Sequence, residues 1–301
     1  KLSLPNRQTK QLKVSGNYII SIYDTDNELV FSRKFMIYEN LVTPGIAIKR
    51  SRDVSNIETT QTVDIEIVSG PQINNPLQTV KTLIIQNSNL NTTISNLKPQ
   101  YTIGNKLIYR YIKETAFAGG NEYLFLETKD VRAATSRVQS IALEDIYQSY
   151  LYTDVTRKNL PYTYNPDING QFKIVAIDRD DVAVEADYVQ VHFSLKYPEL
   201  TNGESIYIYG NYNNYALSDY NRMTLNIESG LYETNFKLKQ GFYNYKYVIV
   251  NKNGDLNEGA ISGDFWQTEN NYKVLVYYRD LGARYDRIIG FNQVSSTNIS
   301  N

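Results

Sequence analysis

The stretch LYETNFKLKQGFYNYKYVIV, residues 231–250, decides the fold class. Large side chains occupy every second position in both of its halves, with a glycine between them. Successive side chains of a β-strand point to opposite faces, so this alternation predicts two half-buried strands. Gly241 marks the hairpin turn that joins them. The residues that share the predicted core face are Tyr232, Thr234, Phe236, Leu238, Tyr243, Tyr245, Tyr247 and Ile249.

The same alternation recurs along most of the chain. Turn residues, such as Asp24 to Asn27, separate the alternating runs. We therefore predict an all-β protein built from tandem immunoglobulin-like or early-set β-sandwiches. The further predicted strands lie within 12–38, 63–68, 80–86, 107–112, 123–127, 172–177, 188–195, 206–209 and 272–278.

Two proline-containing stretches predict the domain boundaries. They are Thr43-Pro44-Gly45 and Tyr197-Pro198, where the strand pattern is interrupted. Residues 1–42 are predicted to be the C-terminal strands of a truncated N-terminal sandwich, because an isolated hairpin is only marginally stable. Residues 43–198 form a central sandwich, and residues 199–301 a C-terminal early-set sandwich.

Composition excludes several classes of function. The 301 residues include 31 basic and 32 acidic side chains, a net charge of −1, which argues against nucleic-acid binding. No run of 18 apolar residues could span a membrane as a helix. The chain has no cysteine, so thiol nucleophiles and cysteine zinc sites are excluded. We expect no metal and no cofactor.

Two possible catalytic features have simpler interpretations. His192 is the only histidine, and it falls on the polar face of its predicted strand. Asp178, Asp180 and Asp181 are near neighbours in one turn, whereas a glycosidase needs two carboxylates facing each other across a cleft. We therefore predict a solvated turn, a surface histidine and a protein that is not an enzyme.

The stretch YIYGNYNNYALSDYNRM, residues 207–223, is part of a longer skeleton that continues through Gly230, Leu238 and Lys246. This skeleton resembles the glycogen-binding-type early-set modules. Tyr215 and Tyr232 stand where those modules carry tryptophan, and a sugar site needs an exposed aromatic platform. A carbohydrate-binding module is therefore kept only as the alternative function, and the motif is interpreted as framework.

The most distinctive segment is AFAGGNEYLFLETKD, residues 116–130. Gly119 and Gly120 allow a positive φ or the close approach of a neighbour, followed by Asn121 and Glu122. No Gly-Lys-Ser/Thr follows, so a phosphate loop is excluded. A tight turn that feeds a strand is the simplest interpretation.

Several segments in order resemble the plug proteins of the Bacteroidetes type IX secretion system. They are SGNYIISIYDTDNELVFSRKFMIYE, FAGGNEYLFLETKDVR, DINGQF with EADYVQVHFSL, YGNYNNY, LKQGFYNYKY and TENNYKVLVYYRDLGARYDRIIGF. The family's Gly-Gly-Asn-Glu-Phe-Arg appears here as residues 119–124, with Tyr123 and Leu124 in the last two places. Family members carry a signal peptide and a further N-terminal stretch, so the resemblance implies that the front of the first sandwich precedes Lys1.

The resemblance implies a non-catalytic, periplasmic protein associated with the outer membrane. Its implied partner is the giant outer-membrane β-barrel translocon, whose periplasmic mouth it would close. The chain itself would not span the membrane. The candidate partner contacts are Gly119, Gly120, Asn121 and Glu122 of the distinctive segment, with Arg284 and Arg287 near the C-terminus. Asp280 and Asp286 are expected to neutralise the arginines around them.

Overall fold

The structure, a computed structural model, describes residues 3–70 and 73–299. Residues 1, 2, 71, 72, 300 and 301, which fall within the predicted domains, lie outside the described residues. The strands in chain order are β1 (Gly16–Tyr23), β2 (Leu29–Ile37), β3 (Gly45–Arg50), β4 (Thr60–Val68), β5 (Val80–Gln86), β6 (Ile94–Leu97), β7 (Tyr101–Ile103), β8 (Lys106–Tyr109), β9 (Ala116–Ala118), β10 (Leu124–Glu127), β11 (Val138–Leu143), β12 (Tyr147–Leu151), β13 (Asp154–Val155), β14 (Phe172–Ile174), β15 (Tyr188–Lys196), β16 (Ser205–Tyr209), β17 (Thr224–Asn226), β18 (Leu231–Lys239), β19 (Gly241–Val250), β20 (Leu256–Asn257), β21 (Asn271–Tyr278) and β22 (Arg287–Ser295).

Helices are few and short among the described residues. The two α-helices, α1 (Pro76–Thr79) and α2 (Val182–Glu185), have one turn each. Four 3₁₀ turns complete the regular structure: Leu90–Thr92, Asn211–Asn213, Asp219–Asn221 and Ser296–Asn298. The all-β prediction is confirmed, and residues 231–250 form two strands, β18 and β19, on either side of Gly241. The predicted hairpin at Gly241 is wrong: β18 pairs with β15 and β17, whereas β19 belongs to a different sheet, so the chain crosses between sheets at this glycine. Alternation does not specify the partner of a strand.

The chain folds into two compact units, and each unit is made of segments that are separated in the sequence. Unit 1 comprises residues 1–53, 62–117 and 271–301, and unit 2 comprises residues 54–61 and 118–270. The predicted boundaries near residues 43 and 199 differ from this division. Strand β15 precedes residue 199 but pairs with β18 beyond it, and β21 pairs with β5. Alternation predicts that a segment is a strand, but the partner of that strand depends on long-range packing.

The described part of unit 1 contains three sheets. One has the order β22-β21-β5-β6, and another has the order β3-β4-β8-β7 with β9 paired to β4. Strands β1 and β2 form a separate antiparallel hairpin. Alternate residues of β4 and β21 are buried in the same core, as burial of one sheet face requires. The buried core includes Val63, Ile65, Ile67, Val80, Ile84, Leu107, Tyr109, Tyr272, Val274, Val276 and Ile289.

Unit 2 is built on two sheets. One has the order β11-β12-β15-β18-β17 with β13 paired to β15, and β12 runs parallel to β15. The other places β10 and β14 beside β19, which also pairs with β16 and β20. The faces predicted from residues 231–250 supply the core. Its members include Val189, Val191, Phe193, Leu195, Ile206, Ile208, Met223, Tyr232, Phe236, Leu238, Tyr243, Tyr245, Tyr247 and Ile249.

Candidate functional site

The hairpin between β21 and β22 carries the predicted arginines. At its base, Nε and a terminal nitrogen of Arg279 donate to the two carboxylate oxygens of Asp286, each at 2.8 Å. Gly282 has φ +81°, which a glycine adopts without steric cost. Asp280 uses Oδ1 to accept the N–H of Leu281 at 2.9 Å. The base of the hairpin is therefore held closed by a bidentate ion pair.

The hairpin tip, residues 280–285, is exposed. Arg284 makes no hydrogen bond or ion pair with any residue of 3–70 or 73–299. Beside it, Leu281 is 73% exposed and Tyr285 is 49% exposed. The sequence analysis named Arg284 but missed these two neighbours. The available signal was an apolar and an aromatic residue flanking the Gly282 turn.

Arg287 lies on β22 and serves a different purpose from Arg284. Its Nε donates to Oε1 of Glu39 at 2.8 Å, and a terminal nitrogen donates to Oε2. Ser15 Oγ donates to the same carboxylate at 2.7 Å and accepts the N–H of Ile288 at 3.1 Å. The hydrogen bond from Arg287 is the largest cause that lowers the pKa of Glu39. Arg287 is therefore a structural residue of unit 1.

The other predicted contacts, Gly119 to Glu122, lie inside unit 2. A Cβ on Gly119 would stand 2.1 Å from the carbonyl oxygen of Phe265, so only glycine fits there. Asn121 and Glu122 are buried. Gly119 is also buried, and Gly120 is partly buried. We call these four residues the internal lock, and their role as partner contacts remains a prediction.

The lock works through backbone and side-chain hydrogen bonds to the segment that ends at Asn270. The carbonyl of Gly120 accepts Thr268 Oγ1 and the N–H of Phe265, both at 2.8 Å. Asn121 Nδ2 donates to the carbonyl of Ser262 at 2.8 Å, and Asn270 Nδ2 to that of Gly119 at 2.8 Å. Buried polar groups of this segment are thereby satisfied.

The internal lock also forms hydrogen bonds with an irregular segment, residues 156–171, which we call the strap. Tyr162 donates its hydroxyl to Oε1 of Glu122 at 2.5 Å. The Arg157 guanidinium donates to the backbone carbonyl of Glu122 at 2.7 Å. Asp167 accepts the N–H of Tyr123 at 2.5 Å, and Ile168 donates its N–H to Asn244 Oδ1 at 2.7 Å. The strap is therefore anchored along its length within unit 2.

Glu122 is the most perturbed carboxyl of the lock. Its side chain is 1% exposed, and this burial raises its pKa to about 7 against the lowering effect of the Tyr162 hydrogen bond. Burial also raises the pKa of Asp167 and of Asp264. The lock therefore holds carboxyl groups that ionise less readily than exposed ones.

The motif that resembles glycogen-binding modules forms framework, as the sequence analysis interprets it. Tyr209 and Tyr215 are buried and lie 5.0 Å apart between ring centroids. Tyr232 belongs to the core, and Tyr212 stacks on Phe236 at 5.6 Å. These rings offer no exposed platform, so the alternative of sugar binding at the motif is not supported.

The remaining catalytic candidates lie where the sequence analysis places them. His192 is on the outer face of its sheet, where its ring stacks on Tyr150 at 4.2 Å. Asp178 pairs with Arg132 at 2.8 Å, and Asp181 accepts the N–H of Ala183 at the start of α2. The three aspartates are thus part of one exposed, charge-paired turn.

The described residues include no metal-binding cluster and no membrane-spanning helix. No group of three or more histidine, cysteine, aspartate or glutamate side chains in residues 3–70 and 73–299 could hold a metal ion. In the same part of the chain, no helix has the length and apolar character needed to cross a membrane.

The chain is similar to a protein family and to a solved structure. The family model for the type 9 secretion system plug protein 1st domain matches residues 1–39. A crystal structure of a hypothetical protein from Parabacteroides merdae ATCC 43184 is similar, with a TM-score of 0.90 and 33% sequence identity. The alignment covers 97% of this chain and 74% of that one. No curated protein matches the chain.

Proposed function

Since this chain belongs to the type 9 secretion system plug protein family, we propose that it binds and closes the periplasmic mouth of the outer-membrane β-barrel translocon. In this proposal the protein is periplasmic and has no enzymatic activity. The observation that carries it is the family match over residues 1–39. A plug needs a folded body and an adhesive surface, and needs neither cofactor nor nucleophile.

The hairpin tip is the proposed adhesive surface. Leu281, Arg284 and Tyr285 combine exposed apolar area with an unpaired cation, and arginine and tyrosine are enriched among the residues that dominate protein interfaces. The Arg279–Asp286 pair holds the base of the hairpin before binding, so less conformational freedom is lost on docking. A carboxylate on the partner could bind Arg284 without displacing an internal ion pair.

The tip also belongs to the same unit as the segment that the family model matches. Glu39 is the last matched residue. It binds Arg287, which begins β22 two positions after the tip. The N–H of Glu39 also donates to the carbonyl of Ile288 at 2.8 Å. A force applied to the tip would therefore be transmitted through these hydrogen bonds to Glu39 in the matched residues 1–39.

Conductance of the purified translocon in planar bilayers tests the proposal. Added wild-type protein should lower the open-pore current, and a pore that stays open at saturating protein contradicts plugging. The Arg284→Glu and Leu281→Asp variants should need at least roughly tenfold more protein, as loss of one interface hot spot implies.

A matched control separates tip contact from a general effect of charge. Lys98→Glu makes the same charge reversal at an exposed residue of unit 1 outside the hairpin, and should block like wild type. If both tip variants co-purify with the translocon at wild-type yield, the tip is not the docking surface, although plugging itself could still stand.

A further inference from the structure

A groove of about 500 Å³ crosses the outer face of the sheet β11-β12-β15-β18-β17 in unit 2. Its volume lies within the range of roughly 300–1,000 Å³ typical of small-ligand sites. The opposite face of this sheet is the buried core, so the strands that floor the groove are fixed from below. The lining residues lie outside the stretch 207–223, although several fall within the longer skeleton that extends to Lys246.

Uncharged polar side chains and apolar residues, among them Leu225 and Leu231, line the groove together. The uncharged polar side chains on the outer face are those of Gln139, Ser194, Thr224, Asn226 and Asn235. Such groups both donate and accept hydrogen bonds. The one acidic lining residue, Glu233, already accepts Asn226 Nδ2 at 2.9 Å and Ser229 Oγ at 2.8 Å. Glu233, whose oxygens are already hydrogen-bonded, is thus the one charged side chain in the lining.

One lining amide has a defined orientation. Gln190 Nε2 donates to Asn235 Oδ1 at 2.6 Å, which assigns the oxygen of that amide. The amide nitrogen of Asn235 has no partner within residues 3–70 and 73–299. It is therefore a donor available to a ligand hydroxyl.

Two aromatic rings add apolar surface to the groove. Tyr150 and His192 are register partners on the parallel strands β12 and β15, and their rings stack at 4.2 Å with an interplanar angle of 16°. His192 Nε2 is 2.8 Å from Gln148 Oε1, which holds the imidazole in place. Burial lowers the pKa of His192, so the ring is neutral at pH 7.

The backbone of the groove floor is not available to a peptide. Strand β15 pairs with β12 over Gln190 to His192 on one side and with β18 over its length on the other. A peptide could therefore not add itself to this strand by main-chain hydrogen bonds. Recognition has to proceed through side-chain amides, hydroxyls and rings.

We propose that this groove binds a neutral oligosaccharide. The hydroxyl groups of the sugar would exchange hydrogen bonds with the amide and hydroxyl side chains. The C–H faces of the sugar rings would pack against the Tyr150–His192 ring pair. The proposal does not depend on plugging, since it concerns unit 2 alone.

Isothermal titration calorimetry with full-length protein tests it, using maltohexaose, cellohexaose, laminarihexaose and mannohexaose as probes. At least one probe should bind wild-type protein. Asn235→Ala and Tyr150→Ala should weaken that binding roughly tenfold, as expected for the loss of a hydrogen bond or a ring contact. Thr224→Trp, which fills the groove from an exposed edge position, should abolish it.

Lys237→Ala is the matched control, because Lys237 is exposed on β18 but does not line the groove. It should bind like wild type, and all variants should keep the wild-type melting temperature. The proposal is overturned if no probe binds at millimolar concentration. It is also overturned if Thr224→Trp binds as well as wild type, or if an uncharged Ser/Asn-rich peptide displaces the sugar and binds more tightly.

Discussion

Arg287 binds Glu39 through two parallel hydrogen bonds across 248 positions of sequence. The pair ties β22 to the segment that follows β2, and Ser15 completes it from a third position. Both side chains are about one-third exposed, which limits the strength of the pair.

Glu39→Gln should lower the free energy of unfolding by about 1 kcal/mol at pH 7, because solvent screens the ion pair. The pKa of Glu39 is lowered, so this stability is present above its ordinary value of 4.5 and is lost as pH falls through the lowered pKa. Urea unfolding at pH 7 and pH 3 measures the difference. Glu28→Gln, at an exposed turn, is the control. A variant equally unstable at both pH values contradicts the ion-pair account.

Glu122→Gln should stabilise unit 2 at alkaline pH. The folded pKa of about 7 exceeds the ordinary value of 4.5, so the folded state gains from protonation. That contribution is complete below pH 4.5 and is lost as pH rises through 7. The amide is neutral at every pH and can still accept the Tyr162 hydroxyl.

At pH 8 the gain should approach about 3 kcal/mol, and at pH 4 it should be near zero. Unfolding free energies of wild type and variant at the two pH values measure it. Glu199→Gln, an exposed carboxyl of the same unit, should show no such trend. If the Glu122→Gln variant and wild type are equally stable at pH 8, ionisation of Glu122 does not lower the free energy of unfolding, and the prediction is wrong.

Gly119→Ala should destabilise the protein by about 3 kcal/mol. The new Cβ would stand 2.1 Å from the carbonyl oxygen of Phe265, which is backbone and has to shift. Gly230→Ala is the control, because a Cβ there meets open space and costs only about 1 kcal/mol for its positive φ of +68°. Chemical denaturation measures the free energy of unfolding of both variants. A larger loss for Gly230→Ala than for Gly119→Ala would contradict the close approach of Phe265 to Gly119.

Asp154→Ala should be the most damaging single change in the core of unit 2. Asp154 Oδ2 accepts the hydroxyls of Tyr245 and Tyr247, each at 2.8 Å, and Arg137 binds the other oxygen. Removal of the carboxylate leaves these partly or fully buried donors without an acceptor. The free energy of unfolding should fall by about 3–5 kcal/mol. Tyr247→Phe removes one hydroxyl only and should cost about 1 kcal/mol. Thermal melts compare them, and similar losses would show that Arg137 finds another partner.

The local sequence pattern predicts most of the strands and several of the buried framework residues. The run 80–86 is strand β5 as predicted, whereas 172–177 forms a strand only as far as Ile174. Tyr209, Tyr215 and Tyr232 of the motif are buried, in line with their interpretation as framework, whereas Tyr220 is exposed. Alternation reports burial of one sheet face, and that burial is the dominant local requirement of a strand.

The functional contacts were harder to infer. Arg284 and Arg287 are three positions apart, yet Arg284 is unpaired at the tip while Arg287 is engaged by Glu39. The Gly119–Glu122 stretch is predicted only as a tight turn, because its partners Ser262 and Thr268 lie more than a hundred positions away. Residue type alone cannot distinguish an available charge from a paired one.

By itself, the sequence determined the all-β class, most strand positions, the family resemblance and the framework role of the tyrosines. These follow from local periodicity and from motifs, which need no knowledge of distant partners. Only the tertiary structure decided that β21 pairs with β5, that Glu122 is buried, and which arginine remains free. Strand pairing, burial and ion pairing are properties of groups brought together from distant positions, and their energies exist only after folding.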